Sequence, residues 1–276
     1  MTTGTPFRDI SIPPDAAGGE DRPRLRRPAR HAPYRPASDE HPLLAAHGGL
    51  LTVERLGTVA YEPTWQLQEE LATQRRERRI GDRLLLLEHF PVYTLGRGGD
   101  DANLLASPER LRELGASLVR IDRGGDITFH GPGQLVAYPI LELRDPLDLR
   151  RYVRTLQEAV IATVAAFGVR AGRLSEHIGV WVDGQRKLAA FGVRVRRGVT
   201  THGLALNVNT SLRWFDEMIP CGIPDKAVTS LERELGHPVD MAAVEAELER
   251  QLAAHLGLRL TDGRPSVIGP GGGREQ

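Results

Sequence analysis

Three places in the chain combine residue types that can do chemistry. The first is Cys221, in the run Ile219-Pro220-Cys221-Gly222-Ile223-Pro224. A buried free cysteine is usually a small hydrophobe, but one between Pro and Gly in an irregular loop is poorly explained by packing. As a thiolate it would be a nucleophile, and a thiolate needs a base or cation beside it. The second is Lys187. Of 36 basic residues only Lys187 and Lys226 are lysines. Arginine stays protonated near neutrality, whereas a lysine can be tuned to act as a base. Lys187 and His202 are both candidate partners for Cys221, and residue types do not choose between them. Lys226, five residues after the cysteine in a polar turn, reads as solvated. The third place is the run from Arg123-Gly124-Gly125-Asp126 through Ile127-Thr128-Phe129-His130 to Gly131-Pro132-Gly133-Gln134. Its glycines let backbone approach a ligand and present N–H groups to it. Arg123 and His130 could reach one cleft. Neither the P-loop nor the dinucleotide-binding glycine pattern is present, and no histidine–cysteine spacing suits a metal.

Composition narrows the classes further. The chain has 276 residues, 36 basic and 36 acidic, and is 40% hydrophobic. Zero net charge gives no whole-chain field for nucleic acid or an acidic membrane surface. No apolar run approaches the roughly 20 residues that span a bilayer. A single cysteine forms no internal disulfide and suits a reducing cytoplasm. The opening residues lack the basic and apolar stretches of a secretory signal.

Chemistry at these places needs elements to hold them. Residues 1–46 carry eight of the 19 prolines and little apolar periodicity, and they read as a disordered arm. Residues 263–276 read as a disordered tail. Between them, 47–262 reads as one catalytic domain. Runs at 51–57 and 83–90 are strands, the second buried. Residues 63–79 give a surface helix. Ser107 caps and Pro108 opens a helix that Gly115 stops. Residues 117–123, 127–130 and 134–143 are three strands. Apolar positions from Leu149 to Phe167 give the strongest helix. Residues 179–195 make a hairpin across Asp183-Gly184. Residues 201–209 are a strand, and helices at 228–235 and 240–256 finish the body. Clustered strands and hairpins predict an α+β fold with a mixed, largely antiparallel sheet and flanking helices.

Taken in order, these segments resemble one family, the lipoyl(octanoyl) transferases. The resemblance spans about residues 50–260. It is carried by Arg123-Gly124-Gly125, His130-Gly131-Pro132-Gly133-Gln134 and Tyr138-Pro139, then by Gly179-Val180-Trp181-Val182 and Arg186-Lys187-Leu188-Ala189-Ala190-Phe191-Gly192. It continues with His202-Gly203-Leu204-Ala205-Leu206-Asn207 and Pro220-Cys221-Gly222-Ile223. The resemblance implies a fold similar to the catalytic domains of biotin protein ligase and lipoate ligase. It implies an acyltransferase that moves an octanoyl group through a Cys221 thioester, with Lys187 as partner. It also implies a substrate pocket at Arg123, Gly124, Gly125, Asp126, Ile127, Thr128, Phe129 and His130, with Tyr138, Ala190, Phe191, Gly192, His202, Gly203, Leu204 and Ala205. The donor implied is octanoyl-acyl carrier protein. The acceptors implied are lipoyl domains of 2-oxo-acid dehydrogenase complexes and the glycine-cleavage carrier protein, with neither ATP nor a metal as cofactor. Phe90 stands where a second proline is common, and with His177 it is a candidate to alter the pocket rim.

Overall fold

The computed structural model describes residues 42–45, 49–145, 148–219 and 226–263. The expected C-terminal tail, most of the expected N-terminal arm and Cys221 itself lie outside them. Among the described residues the main sheet has eight strands. β1 (Leu50–Val59), β2 (Asp82–His89), β6 (Gln134–Ile140), β9 (Val199–Asn207) and β8 (Arg186–Arg196) carry its centre. β7 (Val180–Val182) and β10 (Ala227–Val228) both pair with β8, and β11 (Arg259–Asp262) closes the opposite edge beside β1. The β2-β6-β9-β8 run is antiparallel, while β1 with β2, β1 with β11 and β10 with β8 are parallel. A second sheet of β3 (Val92–Leu95), β4 (Ser117–Arg120) and β5 (Ile127–His130) has the order β4-β3-β5.

Five helices flank the sheets: α1 (Tyr61–Arg76), α2 (Pro108–Leu114), α3 (Leu149–Ala166), α4 (Leu231–Leu235) and α5 (Met241–Leu256). None of the described helices is long and apolar enough to cross a membrane. α2 starts and stops where its residues say. Ser107 Oγ accepts the Arg110 N–H at 3.2 Å, and Gly115 turns left-handed at φ 64°. α3 buries Tyr152, Val153, Leu156, Val160 and Val164 at helical spacing. Each such side chain contributes about 1.5–3 kcal/mol on burial. With α5 it covers one face of the main sheet, against Leu84, Leu86, Leu188, Leu204 and Leu206. α1 covers the other face with Leu67, Leu71 and Ala72 against Leu85, Leu87, Val136 and Ala205. Its last turn is held by buried Arg75, which donates to Asp82 and Glu142 at 2.7 Å each.

Three expectations need correction. The body begins by Pro42 rather than at 47: Leu43 and Leu44 are buried and Leu44 bridges Leu143. The helix expected from 228 starts at Leu231, because Ala227 and Val228 are drawn into β10 beside Arg186 and Lys187. Finally, the surface helix expected at 63–79 runs from Tyr61 to Arg76, and its first residue, Tyr61, lines the cleft described next.

Candidate active site

A cleft opens between the α1 face of the main sheet and the small sheet. Its floor is two antiparallel neighbours, β8 and β9, whose cross-strand pairs Ala190↔Ala205, Phe191↔Leu204 and Gly192↔Gly203 all contribute to its lining. Two of these glycines are sterically required. A Cβ on Gly203 would stand 2.1 Å from the Ala137 carbonyl, and one on Gly192 would stand 2.6 Å from Arg123 Cδ. The opposite wall is Arg123, Gly125, Asp126, Ile127, Thr128 and His130. Tyr138 and His202 complete the expected set.

Gly124 and Phe129 do not line this cleft. The Gly124 N–H donates to the Val193 carbonyl, which docks the glycine loop on β8. Phe129 follows the alternation of β5 away from the cleft and stacks on Trp214 at 4.8 Å. Arg123 lines the cleft and also anchors its own loop. Its guanidinium donates to the Thr94 carbonyl and hydroxyl at 2.8 and 2.9 Å. Phe90 is exposed and, like His177, is absent from the lining.

Lys187 stands at one end. It is 6% exposed, with its ammonium 4.9 Å from the centre of the Trp181 ring. A β-carbon on Gly179 would lie 3.1 Å from Lys187 Cε, so a glycine there makes room for the side chain. Lys187, Thr128, Ala190 and Ala205 also line a small adjoining cavity, together with Gln134, Asn207, Met218 and Val228. Met218 and Val228 flank, in sequence, the segment that contains Cys221. Lys226 is not simply solvated: it donates to the Gly184 carbonyl at 2.9 Å and braces the β7–β8 turn.

A buried hydrogen-bond chain ties the glycine-rich segment to Lys187. Gln134 donates through Nε2 to Phe129 O and Asn207 Oδ1, so its Oε1 accepts from His130 Nδ1 at 2.8 Å. Asn207 donates to the Thr229 carbonyl, and the Thr229 N–H donates to the Lys187 carbonyl at 2.9 Å. Burial pushes His130 well below the usual imidazole range, which keeps the ring neutral with Nε2 unprotonated. His89 donates from Nδ1 to the Val59 carbonyl and accepts the Tyr138 hydroxyl on Nε2 at 2.8 Å. Its burial lowers it to about 4.

His202 is also buried. Its Nε2 donates to Asp122 at 3.0 Å, which leaves Nδ1 to face the Tyr61 hydroxyl at 3.4 Å. That hydrogen bond, and Arg194 beside it, hold the Asp122 carboxyl below the ordinary range, while burial pulls His202 downward. Tyr61 and Asp122 went unremarked in the sequence. Tyr61 opens a helix with no local motif, although Asp122 adjoins Arg123 and could have been read with it. Among the described residues no cluster of three or more His, Cys, Asp or Glu is placed to hold a metal ion.

Comparison with known proteins agrees with this geometry. The Lipoyl protein ligase A/B catalytic domain family matches residues 60–253. The chain is 53% identical over 201 residues to an octanoyltransferase of Rubrobacter xylanophilus, covering 72% of this chain and 90% of that protein. It is 50% identical over 208 residues to an octanoyltransferase of Bacteroides fragilis, covering 72% and 94%. In structure it resembles lipoate-protein ligase A bound with ATP, with a TM-score of 0.64 at 18% identity over 78% of this chain and 89% of that one. A bi-partite lipoate protein ligase from Thermoplasma acidophilum gives a TM-score of 0.61 at 20% identity, covering 80% and 88%. These two show the shared fold. With the family matched over most of its length and relatives near half identity, the chain belongs to the octanoyltransferases of the lipoyl protein ligase A/B catalytic-domain family.

Proposed function

We propose that this protein transfers an octanoyl group from octanoyl-acyl carrier protein to the ε-amine of a lysine on lipoyl domains, through a thioester on Cys221. The observation that carries the reading is the half-identity to octanoyltransferases over 72% of the chain. The buried Lys187 supports it, at the junction of that cleft with the cavity flanked by Met218 and Val228. In the first step the Cys221 thiolate attacks the thioester carbonyl of the donor. The new C–S bond forms, the carrier thiolate leaves, and the Lys187 ammonium protonates it. In the second step the acceptor amine attacks the acyl-enzyme. Neutral Lys187 takes the amine proton as the amide forms and the Cys221 thiolate departs. Exchange between thioesters keeps the acyl group activated, so neither ATP nor a metal is needed. Amide formation then draws the second step forward. Acceptors are the lipoyl domains of 2-oxo-acid dehydrogenase complexes and the glycine-cleavage carrier protein. A single thiol that must stay reduced suits a reducing cytoplasm.

The experiment is a three-component assay of enzyme, octanoyl-acyl carrier protein and a lipoyl domain, without ATP. An octanoylated lipoyl domain by intact mass is the expected product. Modification that requires ATP and free octanoate would replace the transferase reading with a ligase.

A further inference from the structure

The cleft floor has two ends, and they differ in chemistry. From Lys187 it runs along β8 and β9 to the pair Gly192↔Gly203 and finishes at His202, whose strand partner Val193 does not line it. The next pair, Arg194↔Thr201, does not line it. Instead Arg194 bonds Asp122 and Glu69 behind the wall. Facing residues of an antiparallel pair share one side of the sheet. Val193 obeys this and packs toward the α3–α5 core, but His202 does not. Its ring lies on the α1 side, 6.3 Å from Trp65 and bonded to Asp122. The cause is backbone: His202 has φ 57°, a left-handed residue inside a strand, which turns its side chain across the sheet. A non-glycine residue in that region is strained and persists only where its surroundings hold it. Here the His202 N–H donates to Gln68 Oε1 at 2.7 Å, and Asp122 fixes the ring.

We infer that His202 is the end wall of the acyl slot and sets the longest chain this enzyme accepts. The inference rests on the octanoyl-transfer reading above. From Ala190 to the level of His202, which pairs with Val193, is three residues, about 10 Å, a span of the order of an extended eight-carbon chain. A longer chain would have to displace a buried ring that is hydrogen-bonded on both nitrogens. Ala190, Gly192, Gly203 and Ala205 leave the floor low on the α1 side as far as the wall, so the wall is the stop.

His202→Gly tests this. Glycine adopts φ 57° without strain, so the backbone is kept and only the ring is lost. Each buried methylene is worth about a factor of four. Decanoyl carries two more methylenes, so the ratio of kcat/KM for decanoyl- over octanoyl-acyl carrier protein should rise about 16-fold. His202→Asn, which also tolerates the left-handed region, should raise it by less and gives a second variant that can fold. Merely structural damage lowers both chain lengths together and leaves the ratio unmoved. An active wild type whose His202→Gly variant keeps the wild-type ratio overturns the end-wall assignment alone. A wild type inert toward octanoyl-acyl carrier protein overturns the functional reading and the wall with it.

Discussion

Replacing Lys187 by arginine separates charge from proton transfer. Arginine preserves the positive charge and can keep the contact with Trp181, whose ring centre lies 4.9 Å from the ammonium. It cannot take a proton from the acceptor amine, because its pKa stays above about 12. The planar guanidinium must also fit under Gly179, where even an added Cβ would approach Lys187 Cε to 3.1 Å. Loss of a general base typically costs about 10²–10⁴-fold, or about 3–5 kcal/mol of barrier. We expect acylation of Cys221 to survive in part and transfer to the lipoyl domain to fall by that factor. Each half-reaction is followed by mass in single-turnover mixing, with the thermal midpoint as a check on folding. A variant that passes octanoyl to the lipoyl domain at near wild-type rate refutes the base role. His202 would not replace it readily, since the register places it at the far end of the cleft floor.

Three further outcomes follow from packing and titration. Gly203→Ala pushes a Cβ to 2.1 Å from the Ala137 carbonyl; urea unfolding should show about 1–3 kcal/mol lost, and an unchanged midpoint would mean that the β6–β9 spacing yields. Deleting residues 1–41 should leave the urea midpoint in place, whereas deleting 1–46 removes the buried Leu43 and Leu44 and should cost about 3–6 kcal/mol; equal midpoints would contradict the packing of that pair. Stability should be full above pH 6.5 and decline toward pH 4, because the unfolded chain protonates near 6.5 while folded His89 resists to about 4. That difference is worth about 3 kcal/mol at the acid end, with buried His130 and His202 acting in the same direction. A urea midpoint that is flat from pH 7 to 4 would show that these rings do not enter as neutral groups.

Elements with strong local signals were legible in the sequence. α2 carries its cap, its proline and its stop within nine residues from Ser107 to Gly115, and α3 carries a continuous apolar stripe. β3, β10 and β11 were not anticipated. They are two to four residues long and exist through pairing with distant partners, as Val228 does with Lys187. The cleft lining was legible because the glycine-rich segment and the small residues of β8 and β9 are contiguous motifs. Reading that segment as one continuous lining wrongly included Phe129, although strand alternation puts it with Trp214. In the sequence His202 reads as a strand residue and a candidate partner for Cys221. Its left-handed backbone, and the partnership with Asp122 eighty residues away, belong to the fold rather than to any local pattern. The same holds for the Gln134–Asn207 link beneath the site.

The covalent thioester is the central claim, and intact-protein mass after mixing with octanoyl-acyl carrier protein tests it most directly. The account predicts one octanoyl group per chain, mapped by peptide mass to Cys221, discharged on adding a lipoyl domain and lost in Cys221→Ala together with transfer. Normal turnover by Cys221→Ala, or an adduct on any other residue, would contradict it.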